Sequence, residues 1–212
     1  MKPYTNEWYT YPKDTIDRKT CAKLIGLPKD KWEESAVGIK ADTTDEERRT
    51  GVVLQNKPDP KERLSEVHGV NDQWIYDMIW PYMEDANQEA GWSYHIKAAE
   101  SMQITRYRKG GFYSFHQDGR GDHLSAYNNP QNAFMHGHVR KLSMTTLLSD
   151  SYEGGEFQFA TYGKEECSIS TPEFSKVGSI VVFPSAMEHR VAPVTKGIRH
   201  SLVTWFVGPP FV

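Results

Sequence analysis

The sequence predicts a mainly β protein with flanking helices, a jelly roll of two facing sheets buttressed by N-terminal helices. Three observations carry that expectation. From Trp92 onward, short apolar runs are separated by Gly, Pro, Asn and Asp, a spacing that suits antiparallel strands and not βαβ units. The segments with three- and four-residue apolar spacing all precede that point. With 212 residues, 38% of them hydrophobic and 12% aromatic, the chain can bury a substantial core without disulfide staples. One domain over 1–212 is expected, with a helix-bearing support region at 1–91 and the jelly-roll core at 92–212.

In chain order, 14–25 carries Ile16, Cys21, Leu24 and Ile25 at helical spacings, and Gly26 is a natural stop. Residues 42–49 are charged and read as a loop before a short strand, Gly51-Val52-Val53-Leu54. A stronger helix begins at Asn71 or Asp72. Trp74, Ile75, Met78, Ile79, Tyr82, Met83 and Ala86 form its apolar stripe, and Pro81 should kink it. Strands are expected at 93–98, 101–108, 112–117, 140–148, 156–161, 166–170, 178–183, 188–193 and 198–207. Between them, 119–139 is a long Gly-, Asn- and His-rich stretch without periodicity, and loops of that length usually carry function.

Charge and composition exclude several classes. A net charge of −3 gives no general attraction to nucleic acid or anionic membranes. No apolar run is long enough to span a bilayer, and Met1-Lys2-Pro3-Tyr4 opens no signal-peptide pattern. The 2 cysteines, Cys21 and Cys167, read as isolated thiols of a reducing compartment, so a cytoplasmic location is expected.

The chemistry centres on His116-Gln117-Asp118. Residues i and i+2 of a strand point to one face, so imidazole and carboxylate converge. Gly110-Gly111 allows a tight reversal that returns Tyr107 beside them. His189, after the break at Pro184-Ser185, completes two histidines and one carboxylate, the facial set that leaves positions open on a non-haem Fe(II). The run 191–199 reads as a hairpin. With its turn at Lys196, Val203 lies opposite His189, and His189, Arg199, Ser201, Val203 and Trp205 share one face. Arg199 then sits ~10 Å deeper than His189 at the usual strand rise. A guanidinium inside a barrel needs an anion, and a bound carboxylate is its natural partner.

The pattern Tyr107-x-x-Gly110-x-x-Tyr113-x-x-His116-x-Asp118, followed by His189, Arg199 and Trp205, resembles the prolyl 4-hydroxylase type of Fe(II)/2-oxoglutarate-dependent dioxygenase. Tyr152-Glu153-Gly154-Gly155-Glu156-Phe157 and Val191-x-Pro193-Val194-Thr195-x-Gly197-x-Arg199 are similar to its microbial PKHD-type branch. The resemblance implies a double-stranded β-helix with iron on His116, Asp118 and His189. It implies a keto acid whose far carboxylate meets Arg199, with Tyr107 as a second donor. Oxygen would be consumed, succinate and carbon dioxide released and a C–H bond hydroxylated, with ascorbate as an accessory reductant and a protein or peptide, prolyl by analogy with procollagen-proline 4-dioxygenases, as substrate. Animal collagen-type enzymes place Lys where Arg199 stands. Leu147 occupies a position where some relatives carry a keto-acid-binding Tyr, which shifts weight onto Tyr107 and onto Thr145, on the same strand face as Leu147. Trp205 is expected to line the pocket.

Other features take simpler readings. His123, His136 and His138 are expected to be exposed loop residues, not a second metal site. The loop around them is expected to act as a lid, with Tyr127, Asn128 and Asn129 as polar contacts. Gly154-Gly155-Glu156 should be a turn entering a strand. Arg48, Arg49, Lys61, Glu62 and Arg63 read as a solvated face, and Tyr4, Trp8, Tyr9 and Tyr11 as an arm packed across a sheet. Hydroxylation of a free small molecule or amino acid, and a cupin-like metal protein without oxygenase activity, are the alternatives. Nucleic-acid demethylation is disfavoured because Trp205 stands where those enzymes carry a second Arg. The oligomeric state is left open.

Overall fold

The computed structural model describes residues 7–35, 59–119, 126–128, 130–132, 135–162 and 166–211. Its larger sheet holds eight strands among these residues. In spatial order they are β1 (Tyr9–Tyr11), β12 (Ile180–Pro184), β8 (Val139–Leu147), β15 (Arg199–Gly208), β6 (Met102–Tyr107), β4 (Glu66–Val70) and β2 (Glu33–Glu34), with β5 (Ala98–Ala99) paired to β15. The smaller sheet runs β11 (Cys167–Ser170), β10 (Phe157–Tyr162), β13 (His189–Val191), β7 (Phe112–His116), β3 (Arg63–Leu64). A third pair joins β9 (Tyr152–Gly154) to β14 (Val194–Gly197). The pairings are antiparallel. Along the chain β6, β7, β8, β10, β12, β13 and β15 alternate between the two sheets, which makes the expected double-stranded β-helix.

Period-two alternation sorts the larger sheet's side chains into two cores. Ile104, Leu142, Met144, Ile180, Val182, Leu202 and Phe206 face the helices. Tyr107, Leu147, Val181 and Phe183 face the smaller sheet, where they meet Phe157, Phe159, Val191 and Val194. Strand β12 is buried along its whole length because both its faces are covered.

Two helices cover the outer face. Helix α1 (Arg18–Gly26) buries Cys21 and Leu24. Helix α2 (Gln73–Glu89) buries Ile75, Ile79, Met83 and Ala86, three or four residues apart. Pro81 lies within α2 on its exposed side, and the helical assignment runs through it from Gln73 to Glu89. Helix α1 starts four residues later than the apolar spacing suggests. Asp14 and Ile16 instead give their backbone N–H groups to Val177 and Gly178, and the Asp17 side chain accepts from the Thr20 N–H as the N-cap.

Other boundaries differ for local reasons. The strand expected at 93–98 shrinks to β5, since Ser93 takes a positive φ of 53° and Lys97 bonds Val207 as an isolated contact. Strands β1, β2, β3, β4, β9 and β14 have no counterpart among the expected strands. Strand β1 places Tyr9 and Tyr11 against the sheet as the arm was expected to lie, and Trp8 stacks on Phe159 at 4.8 Å. The expected strand at 51–54, the loop at 42–49, Arg48, Arg49, Tyr4, His123 and Asn129 lie outside the described residues.

The 191–199 hairpin does not form as read. Strand β14 pairs with β9, and β13 pairs with β7 and β10 in the smaller sheet. Strand β15 pairs with β6 and β8 in the larger one, so Val203 lies opposite Thr145 and Gln103 and not His189. His189 and the Arg199-to-Trp205 face therefore look at each other from opposite sheets. The proposed ~10 Å depth along one strand pair has no basis.

Candidate active site

Strands β7 and β13 lie side by side with His116 directly opposite His189. Their ring centroids are 4.3 Å apart. Each ring has its Nδ1 on a backbone carbonyl, His116 on Ser114 at 2.8 Å and His189 on Met187 at 2.9 Å. A nitrogen facing a carbonyl carries the proton, so both Nε2 atoms present lone pairs, the form a metal takes. Asp118 lies just beyond β7, with Oδ1 3.9 Å from the His116 Nε2 and Oδ2 3.6 Å from the His189 Nε2. The three donor atoms lie within 4.8 Å of one another, the one such metal-holding group among the described residues. Two imidazoles and one carboxylate suit Fe(II), and His136 and His138 belong to no such group among the described residues.

The electrostatics keep these groups ready to bind a cation. Burial, reinforced by His189, pushes the His116 imidazole down to about 3, so the ring stays neutral well into acid. Burial opposes the charge on Asp118, but His189, His116, Arg140 and the Ser143 hydrogen bond outweigh it and hold the carboxyl below its ordinary value.

A bulge in β7 shapes the rest of this wall. The pairing passes from His116–His189 to Tyr113–Val191, so two residues, Ser114 and Phe115, face Arg190 alone. The bulge turns Tyr113 to the same side as His116, and the rings stack at 3.5 Å. Burial raises the Tyr113 hydroxyl to about 12. Arg63 covers the same ring at 4.5 Å, so it belongs to this wall and not to the solvated face expected for it. Phe157, Phe159 and Phe183 surround His189 with ring separations of 5.5, 6.4 and 4.7 Å.

The opposite wall comes from β15, β6 and β8. Arg199 is 1% exposed and pairs in register with Tyr107. Its Nη1 donates to the Ser201 hydroxyl at 3.1 Å, while Nε and Nη2 are buried without a partner. Among the described residues no carboxylate reaches it. Tyr107 is buried beside it, its ring 5.6 Å from the guanidinium carbon. Thr145 is buried between Ser143 and Leu147 on the same side of β8, and Leu147 faces Ser201. Gly155 explains part of the Gly-Gly pattern. It holds φ at 67°, and a Cβ there would lie 3.1 Å from the Arg199 Cδ and 2.9 Å from a Val194 methyl. An unpaired buried cation with two vacant donors fits the far carboxylate of a dicarboxylic keto acid.

Sequence reasoning missed a third cluster. Arg140 forms a two-pronged bond to Glu100, 2.6 Å on each arm, and its guanidinium lies 4.2 Å over the Trp205 ring. Tyr127 donates to the same carboxylate at 3.4 Å, which ties this residue to the barrel. Trp205 is 9% exposed with its Nε1 unpartnered. No local signal marked it, since Arg140 heads its strand and Glu100 lies 40 residues away in sequence. Glu156, by contrast, is exposed.

The 2OG-Fe(II) oxygenase superfamily matches residues 102–207, half of the chain. The chain belongs to that superfamily. Within it, the likeness is to the prolyl 4-hydroxylase and PKHD type. PKHD-type hydroxylase YbiX of Shigella sonnei is 35% identical over 105 residues, covering 48% of this chain and 40% of the relative. A PKHD-type hydroxylase of Xylella fastidiosa is 34% identical over 106 residues, covering 49% and 42%. The matches thus span about two fifths of these relatives' length. A Pseudomonas putida prolyl-4-hydroxylase superposes with a TM-score of 0.60 at 16% identity over 95% of this chain and 92% of that one. The viral collagen prolyl hydroxylase of Paramecium Bursaria Chlorella virus-1, in its 2OG complex, gives 0.59 at 16% identity over 96% and 97%. These two likenesses establish the shared fold.

A pH effect arises on the outer face of β15. Burial and the charges of Arg106, Arg108 and Arg199 push His200 down to about 4. Between that value and about 6.5 the unfolded chain binds a proton that the folded protein refuses, so stability falls as pH drops through this window. His116 acts with the same sign. The urea midpoint of the metal-free protein should decrease from pH 7 to pH 5, and His200→Gln should flatten that slope. An unchanged slope would show that His200 carries none of it.

Proposed function

We propose that this protein is an Fe(II)- and 2-oxoglutarate-dependent dioxygenase that hydroxylates a peptidyl residue, proline first, and releases succinate and CO2. The observation that carries this reading is Arg199, a buried guanidinium with two vacant donors in the pocket faced by the His116, Asp118 and His189 triad. A cupin-like metal protein has no use for such a cation, which is costly to bury unpaired.

In this reading His116, Asp118 and His189 hold the iron. Bound there with the keto acid, iron supplies the oxidation of a C–H bond at the expense of O2. Arg199 receives the far carboxylate through Nε and Nη2, with its fork held at one corner by Ser201. Tyr107 supplies a second hydroxyl, and Thr145 flanks the path between the two ends. Phe157, Phe159 and Phe183 keep water from the His189 side. Glu100, Arg140 and Trp205 form the shelf for a peptide. The aromatic face takes an apolar ring, and the fixed guanidinium offers a donor to a backbone carbonyl. Ascorbate, as an external reductant, belongs to the same proposal. So do a single domain over 1–212, a peptide or protein partner and a cytoplasmic location. Cys21 and Cys167 are both free, and no described helix is long and apolar enough to cross a membrane.

The test is an anaerobic titration of the Fe(II)-loaded protein with 2-oxoglutarate, read by the visible charge-transfer band of the chelate. The band should appear for the wild type and be absent for His189→Ala. Proline-containing peptides incubated with O2 should then gain one oxygen by mass spectrometry. No band with metal demonstrably bound would sink the dioxygenase reading. A band with no peptide oxidised would sink only the substrate.

A further inference from the structure

Asp118 lies past the last ladder pair of β7, so the sheet itself does not fix its carboxylate. Three bonds from the larger sheet's end do so instead. The Asp118 backbone N–H donates to the Ser185 carbonyl at 2.9 Å. The Ser143 hydroxyl donates to Oδ2 at 2.7 Å, and the Ser143 and Ser185 hydroxyls are 2.9 Å apart. An ionised carboxylate only accepts, so the single Ser143 proton goes to Asp118 and Ser185 must donate to Ser143. Ser143 and Ser185 are each 0% exposed, and water does not compete for these bonds. The chain Ser185 to Ser143 to Asp118 is therefore directional, each bond polarising the next.

We propose that Ser143, backed by Ser185, is a positioning residue for the metal centre that engages one oxygen of Asp118 and leaves the other to the ion. This rests on the reading of Asp118 as a metal ligand and adds the manner of its binding. His116, Asp118 and His189 would supply three donors and leave the ion's remaining positions to a chelating keto acid and O2. A carboxylate free to turn and bind through both oxygens takes one of those positions. Ser143 prevents that turn from the buried side, where among the described residues no other side chain donates to Oδ2.

The probe is cobalt(II), added to the metal-free full chain and followed by affinity and by the visible d–d spectrum. Ser143→Ala should weaken cobalt binding by about 10- to 100-fold, the usual cost of removing an outer partner of a ligand. Its d–d bands should shift as the carboxylate changes its mode of binding. Ser185→Ala should act in the same direction with a smaller loss, because Ser143 keeps its bond to Asp118 and loses only its own donor. Asp118→Ala should bind no cobalt at the wild-type saturating concentration. Wild-type affinity and spectrum in both serine variants would overturn the proposal while leaving the metal centre standing. Should Ser143→Ala fail to fold, an unaltered Ser185→Ala would overturn it and the graded loss with shifted bands would support it. A wild type that binds no cobalt would overturn the metal centre itself.

Discussion

Arg199→Met should weaken 2-oxoglutarate binding by two to three orders of magnitude while leaving the metal site intact and the empty protein more stable than the wild type. The two effects share one cause. Arg199 is fully buried, and two of its three nitrogens lack partners in the absence of an anion. Removing one member of a buried ion pair costs ~3–5 kcal/mol, which corresponds to roughly 100- to 1000-fold or more in affinity. Without the keto acid the same group is an uncompensated buried charge, and an apolar side chain of similar length removes that penalty. Titration of the charge-transfer band measures the first effect, and thermal melts with and without 2-oxoglutarate measure both. The melting curves of wild type and variant should cross as the keto acid is added, since a ligand that binds only the folded state stabilises it by mass action. A variant with unchanged keto-acid affinity would show that the carboxylate lies elsewhere.

Asp118→Ala and His116→Ala should each abolish Fe(II) binding and turnover. Each leaves two donors where the arrangement supplies three within 4.8 Å, and two fixed ligands do not hold a divalent ion against water. Asp118→Ala also removes the carboxylate acceptor of the fully buried Ser143 hydroxyl, which keeps only its bond with Ser185. The variant's own stability should therefore fall as well, by about 1–3 kcal/mol for a lost buried partner. His116→Ala opens space under Tyr113, whose ring now stacks on the imidazole at 3.5 Å. Isothermal titration with Fe(II) under anaerobic conditions reads the loss, and a metal-dependent rise in melting temperature seen in the wild type should vanish. Retention of that rise in Asp118→Ala would remove Asp118 from the ligand set.

Most of the strands were legible because alternation along an edge-to-edge pair is a local property. Strands β6, β7, β8, β10, β12 and β15 begin and end within two residues of their expected limits. The strands that went unseen are short, as β9 and β14 are, or lack a one-sided pattern, as β1 does with all three residues half-buried. Arg199 was placed in the interior by a pairing with β13 that does not exist, yet its burial stands. Strand parity with Trp205 fixes its face whichever strand lies beside it. Arg140 was passed over because a charged residue heading a strand looks like any solvated end. Only the bidentate bond to Glu100, 40 residues away in sequence, shows that it is an interior group.

By itself the sequence determined the set of chemical parts. It specified a jelly roll from spacing, a His-x-Asp pair with a distant His, and an arginine on a strand face where no local carboxylate answers it. Those follow from residue type and from period-two geometry, which act over a few positions. The tertiary structure decided which parts meet. The exchange of strands between two sheets puts His189 against His116 and leaves Arg199 facing them from the other wall. A single bulge brings Tyr113 onto His116, and two serines 42 residues apart come together under Asp118. Register, bulges and side-chain hydrogen bonds across a barrel depend on the packing of elements far apart in the chain, and no local pattern encodes them.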